Sequence, residues 1–212
     1  MWPFLLLLIV TGTMVGYLAF SNARYTVDLV SSQLRDEMLN HINSHLDKFL
    51  STPKRINQLN SHAIISGNLD HSSQQQVMAH FWEQVQIFDS VTSIYFGNKN
   101  GGLATGGREG AKGDLYIIST ENFAAGTFKK FRTDSRGKPI EQLFSMPGFD
   151  ARARPWYKAA EKKQTGTWSD IYILFTGTDM AIAPSKPVIN EQGEMLGVVA
   201  TDIFLSHNSS LV

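Results

Sequence analysis

The sequence predicts an α+β protein: one transmembrane helix, then a long amphipathic helix, then a domain built on a central antiparallel sheet. Three observations predict it. Residues 1–20 (MWPFLLLLIVTGTMVGYLAF) carry no charged side chain. From about Asn22 to Leu50 there is no Gly or Pro, and apolar residues recur every three or four positions, the helical period. Beyond Val91, short β-branched and aromatic runs alternate with Asx-to-Gly turns, which join hairpins rather than βαβ crossovers.

The first segment spans roughly 30 Å at about 1.5 Å per residue, one hydrocarbon core. Every amide there must be satisfied internally, so it must be a helix. Trp2 and Tyr17 near its ends suit the two interfaces. A cleaved signal peptide is the alternative, because Ser21-Asn22-Ala23 offers small residues at a cleavage-like spacing. The length of the apolar run and the helix that follows without a linker favour an uncleaved anchor. No Lys or Arg precedes the run, so charge says little about orientation.

Val27, Val30, Leu34, Met38, Ile42, Leu46 and Phe49 form one stripe on the second segment, opposite Asp28, Arg35, Asp36, Asn40 and Asp47. That stripe needs a cover, either a second copy of the chain or the sheet. Pro53 is expected to kink or restart the helix, and the pattern fades at Ser66-Gly67-Asn68. A further helix opens after Ser72 or Ser73 as N-cap, with Val77, Met78, Phe81, Trp82, Val85 and Phe88 on its buried face.

Strands are predicted at Val91–Gly97, Leu115–Ile118, Thr127–Arg132, Ile171–Phe175, Met180–Ile182 and Leu196–Leu205. Three turns share one chemistry: Asn98-Lys99-Asn100-Gly101, Asp134-Ser135-Arg136-Gly137 and Asn190-Glu191-Gln192-Gly193. The Asx side chain opens each turn and the Gly three positions on takes positive φ. A short helix should start at Arg154-Pro155-Trp156, with Pro in its first turn.

Composition narrows the function. Nineteen basic residues balance nineteen acidic ones, which leaves no field for nucleic acid. No cysteine is present, so disulfides, a thiol nucleophile and thiolate metal sites are excluded. Gly101–Gly107 resembles a phosphate loop only until Arg108-Glu109 replaces the required Lys-Ser/Thr. His41 and His45 are one turn apart but lack the Glu of a zinc-protease motif, so they read as structural or interfacial. The run Lys129, Lys130, Arg132, Arg136 and Lys138 reads as the wet face of a hairpin. Asn208-Ser209-Ser210 fits a glycosylation acceptor. No nucleophile, metal set or cofactor motif is visible, so neither an enzyme nor a cofactor is expected.

One group of residues stands out. Asp202 shares a strand face with Val198, Ala200 and Phe204, so its carboxylate points among apolar groups and needs a cation or several donors. Arg154 is a candidate cation. Two readings stay open: an Arg154–Asp202 structural pair with Trp156 and Tyr157 as core, or a small zwitterion bridging the two between walls of Trp156, Tyr157 and Tyr172.

The stretch Phe149-Asp150-Ala151-Arg152-Ala153-Arg154-Pro155-Trp156-Tyr157-Lys158-Ala159-Ala160 resembles the signature of Cache sensor domains, in particular the distal module of the double Cache type. Trp168, Tyr172, Pro187-Val188 and Gly197-Val198-Val199-Ala200-Thr201-Asp202-Ile203 continue it, and the Phe81-Trp82 helix and the Ile94-Tyr95-Phe96-Gly97 strand are similar as well. The resemblance runs from about Tyr25 to Leu205. It implies a PAS-like, extracytoplasmic ligand sensor of the kind found in chemotaxis and other signal-transduction receptors. Amino-acid-binding members imply ligand contacts at Arg154, Trp156, Tyr157, Tyr172 and Asp202. They carry a Tyr where this chain has Phe149, and the lost hydroxyl costs about 0.5–1.5 kcal/mol.

The expected organisation is an anchor at 1–21, a membrane-proximal helix at 22–65, a ligand-binding domain at 66–205 and a tail at 206–212. The expected function is periplasmic or extracellular sensing of an amino acid, amine or organic acid, from the inner membrane, as a homodimer through the long helix. A membrane-anchored dimerisation scaffold, or a receptor fragment without ligand binding, is the alternative. A double Cache receptor would continue with a proximal module, a second membrane helix and an output domain, so the chain is expected to be the front of a receptor: a fragment, a degraded gene product or a free-standing anchored binder.

Overall fold

The computed structural model describes residues 2–109, 113–177 and 179–204, without the side chains of Phe4, Leu5, His45 and Lys48. Leu205, the tail 206–212, the acceptor Asn208-Ser209-Ser210 and the His45 half of the histidine pair therefore lie outside the description. Among the described residues no cluster of three or more His, Asp or Glu could hold a metal.

The chain divides into two compact units, residues 1–48 and 49–212. Helix α1 (Trp2–Ile65) supplies all of the first unit and the start of the second. In the first unit, the hydroxyls of Thr11 and Thr13 donate to the carbonyls of Leu7 and Ile9 at 2.9 and 2.8 Å. The helix thereby satisfies its few polar groups itself, as a hydrocarbon environment requires. It is long and apolar enough to cross a membrane. The predicted stripe is uncovered: Val27, Val30, Leu34, Met38, Ile42 and Leu46 are all exposed.

In the second unit α1 passes through Pro53 as one element, contrary to the expected restart. A proline removes one helical hydrogen bond. Burial of Ile56, Asn57, Asn60 and Ile64 on the residues that follow holds the last turns in place. The helix ends where predicted, with Ser66 N–H on the His62 carbonyl and Gly67 at φ +74°. Helix α2 (Gln74–Ile87) starts at Ser73, whose hydroxyl accepts from Gln76 N–H, and buries Val77, Phe81, Trp82 and Val85. Asn60 and Gln84 exchange amide bonds of 2.8 and 2.9 Å between the two helices.

The strands are β1 (Ser93–Asn98), β2 (Leu103–Arg108), β3 (Leu115–Thr120), β4 (Gly126–Thr133) and β5 (Pro139–Phe149). After helix α3 (Pro155–Lys163) come β6 (Thr167–Trp168), β7 (Tyr172–Ile173), β8 (Met180–Ile182), β9 (Pro184–Ile189) and β10 (Met195–Phe204). They form one antiparallel sheet in the order β5-β4-β3-β2-β1-β10-β8-β7, with β9 on β10 and β6 on β9. The three Asx turns form as predicted. Asn98, Asp134 and Asn190 each accept two backbone N–H bonds of 2.8–3.1 Å, and Gly101, Gly137 and Gly193 sit near φ +80°.

The sheet separates two cores. On one side Ile56 and Ile64 of α1 and Val77, Phe81 and Val85 of α2 pack on Ile94, Phe96, Val188 and Val199. On the other, Tyr95, Tyr116, Phe128, Val198 and Ala200 meet Trp156 and Tyr157 of α3. Strands β2 and β5 are not among the predicted strands, and β2 runs across Gly106 and Gly107. A Cβ on Gly106 would sit 2.2 Å from the Trp82 backbone nitrogen, so the glycine is what lets α2 lie directly on the strand.

Candidate ligand-binding cavity

The α3 side of the sheet carries a cavity of about 90 Å³. That is well below the roughly 300 Å³ where drug-sized sites begin, so a guest must be small. Residues from β1 to β4 and β10 form its floor, and Arg154 and Trp156 at the start of α3, with Tyr172, Leu174, Phe175, Thr176 and Asp179, form the opposite wall.

Strand alternation and register place the floor. Asp202 pairs with Ser93 and Ala200 with Tyr95; Tyr95 pairs with Thr105, and Thr105 with Ile118. Asp202 therefore shares its face with Val198, Ala200 and Phe204, as its strand period predicts. Its Oδ1 accepts from the Tyr95 hydroxyl at 2.7 Å and the Tyr172 hydroxyl at 2.6 Å, and its Oδ2 from Ser93 at 3.1 Å. Oδ2 keeps a free acceptor position among these partners, since a carboxylate oxygen takes about two bonds. Burial pushes the Asp202 carboxyl above its ordinary range, and the bonds from Tyr172, Tyr95 and Ser93 pull back. Burial, and then the neighbouring carboxylate, raise both Tyr95 and Tyr172.

Arg154 caps α3 just before Pro155, which takes the first-turn position predicted for it. Its Nη2 donates to the Ile173 carbonyl at 2.8 Å, and its guanidinium carbon lies 5.5 Å from the Tyr172 ring centroid and 5.8 Å from that of Phe175. Among the described residues no carboxylate pairs with it. Arg152, the other arginine of the motif, is held by Asp150 at 2.8 Å instead. The expected alternative of a closed Arg154–Asp202 pair is therefore not what forms: the Tyr172 side chain stands between them, ring under the guanidinium and hydroxyl on the carboxylate.

Five of the six predicted residues line this cavity: Phe149, Arg154, Trp156, Tyr172 and Asp202. Tyr157 does not. It is buried beside Trp156, ring centroids 5.7 Å apart, as part of the core. Trp156 approaches β1 at Gly97, where a Cβ would lie 2.6 Å from its Cη2. Phe149 packs on Phe128 and Phe175 at 5.3 and 5.0 Å, an apolar wall.

Sequence reasoning missed Ser93, Tyr95, Thr105, Tyr116, Lys130 and Glu109. Alternation along Val91–Gly97 was the available signal for Ser93 and Tyr95. The basic run is a correction. Lys130 is not on a wet face: alternation turns it to the cavity side with Phe128, its side chain only 14% exposed, whereas Arg132 on the same side stays 42% exposed. Lys130 pairs with Glu109 and lies 4.0 Å from the Tyr116 ring centroid, and Arg132 reaches Asp114 and Glu141 at 3.4 and 3.5 Å.

Residues 111–208 match the family described as methyl-accepting chemotaxis protein-like, first PDC sensor domain. Over those residues the chain is similar to a Cache, or PDC-type, sensor domain. This family is a receptor sensor module and not an enzyme class. Among solved structures, the ligand-binding domain of Mlp24 with asparagine shares the sensor-domain fold at 18% identity and a TM-score of 0.50, over 83% of this chain and 58% of that one. The Pseudomonas aeruginosa PAO1 amino acid chemoreceptor PctC in complex with GABA is 19% identical (TM-score 0.45, 77% of this chain, 59% of that one). The Pseudomonas fluorescens chemoreceptor CtaA in complex with L-serine is 18% identical (TM-score 0.47, 81% and 61%). The chain thus spans less than two thirds of each. No curated protein sequence matches it.

Proposed function

We propose that this sensor domain binds a small zwitterion of the amino-acid class, its carboxylate on Arg154 and its ammonium on Asp202. One observation carries the reading. A guanidinium without a carboxylate partner and a buried carboxylate with an open acceptor position line one small cavity, separated by a single tyrosine. Trp156, Tyr172 and Phe175 supply faces that suit a cation and the apolar carbon next to it. The Mlp24 domain was solved with asparagine, a ligand of this class.

Signalling follows from what lies behind the site. Thr201 adjoins Asp202 but faces the opposite layer, where Asn57 of α1 donates to it at 3.5 Å and to the Pro184 carbonyl at 2.7 Å. A shift of β10 on ligand binding reaches α1 through these contacts. In this reading residues 1–21 anchor the chain in the inner membrane, 22–65 form the membrane-proximal helix and the domain from 66 onward senses on the periplasmic side. The uncovered stripe Val27–Leu46 supports a homodimer through the helix.

The test is a thermal-shift screen of the full chain in detergent against amino acids, amines and organic acids. Amino acids should raise the melting temperature, and Arg154→Ala should abolish that shift while leaving the unliganded melt intact. No shift from any compound on a well-folded sample rejects the proposal. An Arg154→Ala chain that unfolds makes the arginine structural instead.

A further inference from the structure

The polar poles account for the backbone of an amino acid, and the rest of the cavity wall says which side chain goes with it. Resting on the reading above, we infer that the guest carries a neutral carboxamide side chain, received by Lys130, Glu109 and Thr105. The three lie together through the sheet register. Thr105 of β2 pairs with Ile118 of β3, which pairs with Lys130 of β4, and all three side chains share the cavity face. Lys130 does not extend straight across. Its ammonium sits over the Tyr116 ring, 4.0 Å from the centroid. Tyr116 in turn folds over Gly107, where a Cβ would come within 2.3 Å of the ring. The lysine head is thereby brought to the stretch of β2 between Thr105 and Glu109, with which it pairs.

The chemistry of this wall is specific. A Lys–Glu pair presents a donor beside an acceptor and little net charge. A carboxamide matches both at once, its oxygen accepting from the ammonium and its NH2 donating to the carboxylate. A carboxylate side chain meets Glu109 as a like charge, and an aliphatic one offers no polar group to Lys130, whose side chain is only 14% exposed. Thr105 adds an independent sign. It is 2% exposed, lines the cavity, and its hydroxyl has no hydrogen-bond partner among the described residues. A buried hydroxyl is normally satisfied, so an amide-bearing guest supplies what the chain itself does not.

Asparagine, aspartate and leucine have nearly the same shape and differ at their two terminal atoms, so they isolate the effect. Calorimetric titration of the full chain in detergent should rank asparagine tightest, with leucine and aspartate about tenfold weaker, as one lost or mismatched polar contact implies. Lys130→Met keeps the stem on Tyr116 but removes the donor, and Thr105→Val keeps shape but removes the hydroxyl. Each should shrink the asparagine-to-leucine ratio severalfold, and Lys130→Arg should restore part of it. Leucine binding as tightly as asparagine, or a ratio unmoved in both variants, overturns the inference and leaves the zwitterion reading standing. Binding by none of the twenty amino acids ends both.

Discussion

Asp202→Asn separates a sensing carboxylate from a structural one. The exchange alters shape very little and removes one negative charge. The carboxamide oxygen can go on accepting from the hydroxyls of Tyr95 and Tyr172, now 2.7 and 2.6 Å from Oδ1, while the new NH2 donates to Ser93, whose hydroxyl turns to accept. Weaker bonds to a neutral acceptor are offset by relief of the buried charge, so stability should change by no more than about 1 kcal/mol. That is a melting shift of about 2–4 °C in a chain of this size. Binding is another matter. An ammonium brought to this site loses its charged partner at a buried position, a truncation that costs about 2–5 kcal/mol. The dissociation constant should therefore rise from roughly thirty-fold to a few thousand-fold. Titration calorimetry with the best ligand of the screen gives the second quantity, and a ligand-free melt gives the first. A Kd within threefold of the parent, at unchanged stability, would refute the role given to Asp202. A collapse of the ligand-free melt would show the carboxylate to be part of the core.

Acidity should act on the same group with opposite signs. Burial raises the folded Asp202 pKa above 3.8, so the folded chain takes up this proton at a higher pH than the unfolded chain. Its contribution to stability therefore grows as pH falls from the raised value toward 3.8 and is lost as pH rises through the raised value. Affinity for an ammonium guest should fall over that same descent, and Asp202→Asn should flatten both profiles in melts and titrations run against pH. Gly106→Ala places a methyl 2.2 Å from the Trp82 backbone nitrogen, and backbone does not yield as a side-chain tip does, so denaturant unfolding should show a loss of about 1–3 kcal/mol or more. Gly126→Ala, with nothing within 4 Å of the new methyl, is the control and should stay within about 0.5 kcal/mol.

Local signals carried most of the fold. Periodicity marked α2, with its cap narrowed to Ser72 or Ser73, and Asx-to-Gly spacing marked all three turns, because a cap or a turn is satisfied by atoms within a few residues. Strands β2 and β5 escaped. Gly106 and Gly107 give β2 low strand propensity, and their fitness lies in what crosses them, Trp82 on one face and Tyr116 on the other. Strand β5 is mostly exposed and buries too little to show an apolar pattern. The restart expected as one outcome at Pro53 does not occur, since a helix-breaking residue is tolerated when the turn beyond it is packed on the sheet.

For the cavity, the sequence by itself determined that Asp202 faces an apolar layer, because a strand's period needs no partner to be read. It also marked Arg154 as the residue before a proline-started helix. Only tertiary structure decided that these two stay apart across Tyr172 and that Asp202 rests on hydroxyls 30, 107 and 109 positions away. It likewise turned Lys130 inward to Glu109. Contacts of that range depend on which strands become neighbours, and neighbourhood in a sheet is set by the packing of the whole chain rather than by any stretch of it.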